Sequence, residues 1–231
     1  MLNSIAFIPD GNRRYASKTG VPLLASYQTG TQKAWEVLEW LKDYPKVKVG
    51  TFYTLSLENL TRNRMELKIL FSIFERELDK VISSDFFSVN NLKLKFIGKT
   101  DLLPEKLRNK MFKAEELTEN NKAKTVNLAL GYNGQTEIVD AAKKIALEYN
   151  KNNLDLNSLN PDSFKKYLYS DFDEPDLIIR TSGTQRLSGF LTYQSSYSEL
   201  YFSEKYWPEF SKEELHKAIT EYNERERRFG K

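Results

Sequence analysis

Along this chain the spacing of apolar residues switches repeatedly between the period of a strand and that of a helix. Ser4–Pro9 is a short apolar run of the kind that forms a buried strand. Ala34, Trp35, Leu38 and Leu41 then fall on one helical face, and Val47–Leu55 is rich in β-formers. Leu67, Leu70, Phe71, Phe74, Leu78 and Val81 keep helical spacing over successive turns. Leu92, Leu94 and Phe96 alternate as in a strand. Pro104 is placed to open a helix that continues through Leu107, Met111 and Ala114. Val126, Leu128 and Leu130 alternate again, and Ile138, Ala141, Ala142 and Ile145 share a helical face. Asp176–Arg180 is a further short strand, and Ser211 with Glu214 forms a capping box for a last helix through Leu215, Ala218, Ile219 and Tyr222. Strands separated by helices predict an α/β fold, with a central, mostly parallel sheet flanked by helices on both faces.

Length and composition narrow the picture. At 231 residues the chain reads as one domain spanning 1–231. A chain of this size buries roughly 70% of its unfolded surface and needs no covalent staples. It has no cysteine, which excludes disulfides, thiolate nucleophiles and cysteine metal sites and fits a reducing cytoplasm. With 35 Lys+Arg against 32 Asp+Glu the net charge is +3, so composition makes no case for a nucleic-acid partner. No apolar run approaches the ~20 residues of a membrane span. The start, Met1-Leu2-Asn3-Ser4-Ile5, has no basic region before an apolar stretch, so no signal peptide is expected. Peripheral contact with a membrane remains open. The only histidine, His216, sits in a charged helical segment and reads as a solvated surface residue.

In an open parallel sheet, ligands bind beyond the carboxyl ends of the strands. The first predicted strand is followed by Asp10, Gly11, Asn12, Arg13 and Arg14, the second by Ser56, Glu58, Asn59 and Arg62. Gly131, Tyr132, Asn133 and Gly134 follow the fourth, and Arg180, Thr181, Ser182, Gly183, Arg186 and Ser188 follow the fifth. Parallel strands place these loops on one rim, with Arg13, Arg14, Arg62, Arg180 and Arg186 together. Such a cluster repels itself unless an anion lies among the guanidinium groups, whose planar forks match phosphate oxygens. Any one of these arginines is an ordinary surface charge; all of them in post-strand loops beside glycine and serine is a phosphate site. Asp10 is out of place there unless a cation lies between it and the phosphates, and Mg²⁺ is held in that manner. Its bland role is to cap the following helix. The P-loop and G-x-G-x-x-G patterns are missing, and so is an aspartate-rich DDxxD box.

These residues resemble a family. Ile8-Pro9-Asp10-Gly11-Asn12-Arg13-Arg14-Tyr15-Ala16 resembles the opening signature of the cis-prenyltransferases, the undecaprenyl and dehydrodolichyl diphosphate synthases. Ser56-Leu57-Glu58-Asn59-Leu60-Thr61-Arg62 resembles their SxEN..R segment, and the stretch from Asp176 to Leu191 resembles their most specific motif. Ser198-Glu199-Leu200-Tyr201-Phe202, Trp207-Pro208 and the closing Arg225-Glu226-Arg227-Arg228-Phe229-Gly230 follow at similar spacing, so the match spans nearly the whole chain. Gly-Asn-Arg-Arg-Tyr is closer to the archaeal and eukaryotic branch than to the bacterial Gly-Asn-Gly-Arg-Trp.

The resemblance implies a Mg²⁺-dependent enzyme that condenses isopentenyl diphosphate with an allylic prenyl diphosphate to give a cis-prenyl diphosphate, a lipid-carrier precursor. It implies Asp10 and Asn59 as catalytic, and Asp10 with Glu199 as metal ligands. Gly11, Asn12, Arg13, Arg14 and Tyr15 would hold the allylic diphosphate. Ser56, Leu57, Glu58, Leu60 and Arg62 would line the substrate site. Arg180, Arg186, Leu187 and Ser188 would bind isopentenyl diphosphate. It also implies a homodimer, in which Arg228 and Gly230 reach the partner's site, and a hydrophobic tunnel walled by the helix from Leu67 to Val81 with Ile69, Ile73, Phe86 and Phe87. Two positions depart from the family: Leu23 and Tyr27 stand where an arginine and a histidine are usual, and both are expected to touch the allylic diphosphate. The proton acceptor is Asp10, Asn59 acting through water, or the released diphosphate. Two rivals carry weight. A non-catalytic prenyltransferase subunit tends to lose the first-motif aspartate, which is present here. A phosphatase would want an Asp-x-Asp box, which Asp-Gly-Asn does not resemble.

Overall fold

The structure, a computed structural model, describes residues 1–170 and 174–225. In chain order it runs β1 (Ser4–Ile8), α1 (Asn12–Thr19), α2 (Leu23–Trp40), β2 (Val49–Ser56), α3 (Arg64–Ser83), α4 (Phe86–Val89), β3 (Leu92–Ile97), α5 (Glu105–Thr118), β4 (Lys124–Tyr132), α6 (Gly134–Asn150), α7 (Pro161–Lys165), β5 (Leu177–Arg180), β6 (Glu199–Phe202) and α8 (Lys212–Glu224). The strands form one six-stranded sheet in the order β3-β4-β2-β1-β5-β6, and every pairing is parallel.

β1 is the hub. Ile5 and Phe7 pack with Phe52, Leu94, Val126 and Ile179 on the face covered by α2 and α3, while Ala6 and Ile8 join Tyr53, Ala129 and Ile178 on the other. Both faces are buried, which explains why these strands read as apolar runs more than as clean alternation. The expectation of a covered parallel sheet holds, with one addition. The pattern of apolar positions does not predict β6, because it is short, lies at the sheet edge and is only partly buried.

Caps fix the helices that lead away from the strand ends. Asn63 accepts from the Glu66 N–H at 2.9 Å to start α3, and Asn133 accepts from Gln135 and Thr136 to start α6. The predicted box on α8 is half made: Ser211 accepts from the Glu214 N–H, but the Glu214 carboxylate turns to the Ser203 hydroxyl. Pro104 is the N-cap of α5, one position earlier than expected.

Candidate active site

Just beyond β1 the backbone turns through Gly11, whose φ of 106° is left-handed. A Cβ there would lie 2.7 Å from Tyr206 Cδ1 and 3.0 Å from Ser182 Cβ, so only glycine fits. The turn holds Asp10 against the loop after β5. The Asp10 N–H donates to Thr181 Oγ1 at 2.9 Å, and the Thr181 hydroxyl donates back to the Asp10 carbonyl at 2.7 Å. Two guanidinium groups reach the Asp10 carboxylate: Arg180 Nη2 at 2.8 Å and Arg14 Nη2 at 3.2 Å, both on Oδ2. Burial by itself would raise the carboxyl's pKa, but these arginines outweigh it and hold Asp10 below the usual carboxylate range.

Arg180 is only 4% exposed. Its Nη2 is on Asp10, its Nη1 donates to Ser188 Oγ at 2.9 Å and to the Arg186 carbonyl, and its Nε is buried without a partner. It is therefore a brace between the first loop and the 186–188 turn. Arg186 is exposed and, alone among the five rim arginines, has no carboxylate partner among the described residues.

A second cluster stands across the mouth. Arg62 Nη1 donates to Tyr27 Oη at 3.0 Å and to Glu66 Oε1 at 2.9 Å, and the Tyr27 hydroxyl donates to the same oxygen at 2.6 Å. Arg13 Nε lies 3.9 Å from it. Burial, then the bond to Glu66, push the Tyr27 pKa upward, so the phenol keeps its proton. Beside this cluster, the Asn59 N–H donates to Ser56 Oγ at 3.2 Å, and Asn133 Nδ2 donates to Glu58 Oε1 at 2.5 Å while its Oδ1 caps α6. Self-repulsion among the rim arginines is thus partly relieved by Asp10 and Glu66.

All of this surrounds the mouth of one cavity of about 1310 Å³. Asp10, Asn59 and all five rim arginines line it. From there it runs inward between α2, α3 and the sheet, past Leu70, Ile73, Phe52, Leu130 and Leu128 to Leu94 and Phe87. Its head is charged and its body is largely hydrocarbon, with Glu77 on one wall.

An undecaprenyl diphosphate synthase family model, Prenyltransf, matches residues 8–230. The chain belongs to that family. It is 42% identical over 228 residues to the tritrans,polycis-undecaprenyl-diphosphate synthase (geranylgeranyl-diphosphate specific) of Methanopyrus kandleri, covering 98% of this chain and 84% of that one. It is 40% identical to isoprenyl transferase 1 of Corynebacterium glutamicum, covering 96% and 99%. Among solved structures it superposes on lavandulyl diphosphate synthase from Lavandula x intermedia, in complex with dimethylallyl diphosphate, with a TM-score of 0.94 at 32% identity, covering 99% and 98%. Its relatives are prenyltransferase enzymes, and this chain is an enzyme of that class.

Set within that family, the residues picked from sequence divide into groups. Asp10, Gly11, Asn12, Arg13, Arg14, Ser56, Glu58, Asn59, Arg62, Tyr27, Arg180, Arg186, Leu187 and Ser188 line the cavity, whereas Tyr15, Leu23, Leu57 and Leu60 do not. Leu23 and Leu60 pack against the core. Tyr27 directs its hydroxyl to Glu66, not into open space. Glu199 is not brought to Asp10 within one chain. It is the register partner of Leu177 at the start of β5, whereas Asp10 lies past Ile8, the partner of Arg180 at its end. Three residues of strand, ~10 Å, intervene, and Glu199 pairs with Arg225 at 2.7 Å. On the expected tunnel wall, Ile73 and Phe87 line the cavity but Ile69 and Phe86 do not; Phe86 backs Trp35, ring to edge at 5.1 Å. Arg228 and Gly230 lie outside the described residues.

Sequence reading missed Glu66, the acceptor at the heart of the second cluster. Its signal was present: it stands four residues after Arg62 and at the third position of a capped helix.

Proposed function

We propose that this enzyme condenses isopentenyl diphosphate with an allylic prenyl diphosphate, with Mg²⁺ at Asp10, to give a cis-prenyl diphosphate that serves as a lipid-carrier precursor. One observation carries the reading: a single cavity joins an arginine-lined, carboxylate-bearing mouth to an apolar interior. That is the negative image of a molecule with a diphosphate head and a hydrocarbon tail. A phosphatase has no use for the long apolar body.

The donor set fits Mg²⁺. Among the described residues no group of three or more His, Cys, Asp or Glu could hold a metal alone. Asp10 Oδ1 has no partner among them, because both arginines engage Oδ2. One carboxylate together with substrate phosphate oxygens is the usual Mg²⁺ environment. When bound, the ion supplies neutralisation of the charge on the departing diphosphate.

The chain's own groups supply the rest. Arg14, Arg13 and the free N–H groups opening α1 bind the allylic diphosphate. Exposed Arg186 and Ser188 receive the isopentenyl diphosphate. Arg180 holds Asp10 and Ser188 in place and so acts as a positioning residue. The apolar walls align the isopentenyl double bond with the allylic carbon and keep water away. The allylic C1–O bond breaks, C1 bonds to the terminal isopentenyl carbon, and one proton leaves the isopentenyl unit. Asp10 is a poor acceptor because its arginines hold it ionised into acid, so the departing diphosphate is the better base. A homodimer and release of product at a membrane surface belong to the same proposal.

The deciding experiment is incubation with isopentenyl diphosphate, Mg²⁺ and a set of allylic primers, followed by product sizing; absence of elongation with every primer would sink the reading. Two further results are expected. Arg186→Ala should raise KM for isopentenyl diphosphate about ten- to a hundred-fold, the worth of one charge-assisted bond, with the allylic KM little changed. A rise confined to the allylic KM would reverse the assignment. In equilibrium dialysis, the protein should retain Mg²⁺ only with a diphosphate present, because no group of three or more carboxylates or imidazoles among the described residues could hold the ion alone. Equal retention without diphosphate would point to a second protein ligand.

A further inference from the structure

Where β4 passes into α6, residues 132–134 touch both halves of the mouth. On one side the Tyr132 carbonyl accepts from the Leu57 N–H at 2.9 Å, and Asn133 Nδ2 donates to Glu58 Oε1 at 2.5 Å. On the other side the Gly134 N–H donates to the Gly189 carbonyl at 2.7 Å. Asn133 Nδ2 also packs against Gly189, where a Cβ would lie 2.9 Å from it. The turn it meets is conformationally costly, with Ser188 at a φ of 53° and Gly189 at 75°. A left-handed residue other than glycine persists only where its surroundings hold it.

Helix capping alone does not ask for Asn at 133. Asn, Asp and Ser start helices about equally well. Of these, only Asn has its acceptor and its donor on separate atoms. Here both are used. Oδ1 takes the N–H groups of Gln135 and Thr136 at 2.9 and 3.1 Å, which fixes the amide and aims Nδ2 at Glu58. Asn133 is buried yet lines the cavity, and Glu58 lines it too. None of the rim arginines pairs with Glu58, and the charge-assisted bond from Asn133 holds its carboxylate instead. We infer that Asn133 is a positioning residue, a strut that sets the Ser56–Asn59 segment against the 188–189 turn and so fixes the spacing of the two substrates. The inference rests on the mouth binding both diphosphates. A residue that served only to start α6 would be replaceable by any good cap.

The test separates cap from strut. Asn133→Ser keeps a cap and loses the reach to Glu58. Asn133→Asp keeps a cap and sets like charges against each other. Asn133→Asp combined with Glu58→Gln conserves net charge and turns the same hydrogen bond round, with the donor now at position 58. Two readouts are taken: kcat with isopentenyl diphosphate and an allylic primer, and the Kd of inorganic diphosphate with Mg²⁺ by calorimetry, which needs no turnover. Each single variant at 133 should lower kcat about ten- to a hundred-fold and weaken diphosphate about three- to tenfold. The Tm of Asn133→Ser should change little. The double variant should return to within about fivefold of wild type in both readouts, far above the product of its single effects; it decides the matter if Asn133→Ser does not fold. An Asn133→Ser chain as active and as tight as wild type, or no recovery in the double variant, overturns the strut and leaves the condensation reading standing. Loss and recovery of diphosphate affinity in a chain that makes no product would sink the condensation reading alone.

Discussion

Asp10→Asn is expected to slow condensation by about 10³-fold, the upper range for removing one charge-stabilising group from a preorganised site, while the chain still folds. The amide keeps the shape of the carboxylate and its backbone clasp with Thr181. It loses the charge that faces Arg14 and Arg180. Single-turnover rates with Mg²⁺ check the first effect; retained Mg²⁺-dependent condensation would remove Asp10 from the metal role. Stability should fall too, because Arg180 is left buried without its carboxylate. Breaking a buried pair from one side costs ~3–5 kcal/mol, an upper figure here since the Asp10 side chain is 29% exposed. The pH dependence has a definite sign. A carboxyl whose folded pKa is lowered stabilises the fold above its unfolded value of ~3.9 and loses that contribution as pH falls toward the lowered folded value. The Tm gap between wild type and Asp10→Asn should therefore be full near neutrality and close as pH falls below about 4.

Arg180→Ala should have the next largest effect, and of a different kind from Arg186→Ala. Arg180 links Asp10 to Ser188 and the Arg186 carbonyl, so its loss frees both halves of the mouth together. A fall in kcat/KM of about 10²-fold is expected, carried mainly by kcat, since misplacement of reacting groups by an ångström has that effect. Arg180→Lys should recover little, because one ammonium cannot hold two partners in a fork. Arg180→Ala combined with Asp10→Asn should cost far less than the product of the two single effects, as both remove one linkage. Multiplying effects would show that Arg180 acts on substrate and not through Asp10.

The parallel sheet was legible because each buried strand is a compact apolar run set between helical periods. β6 was not, since Glu199–Phe202 shows too few residues and too little burial to stand out from a loop. At the mouth, the segments that close β1, β2 and β5 announced their arginines, and the topology brought all five together. What sequence could not convey was how each cation is engaged. Arg180 and Arg186 look alike as letters, yet one is buried with both Nη atoms bonded and the other is open. Leu23 and Tyr27 illustrate the same limit: the resemblance puts both against substrate, while packing turns Leu23 to the core and leaves Tyr27 on the cavity wall with its hydroxyl on Glu66. Glu66 and Glu77 escaped notice because a search for apolar periodicity passes over charged residues, although both sit in register on the buried stripe of α3.

The Asp10–Arg180 bond spans 170 positions of sequence, and β1, the hub of the sheet, takes one of its two neighbours from β5. On the ribosome, at ~5–20 residues per second, the first strand waits roughly ten to thirty seconds before that neighbour exists. Until then β1 has one open edge, the kind of surface that pairs with other chains, and Arg14 and Asp10 have no brace. Loop closure over such a distance comes late on the folding route. The diphosphate pocket is thus a feature of the finished chain alone: a nascent or truncated N-terminal fragment carries the first signature in full and has nowhere to use it.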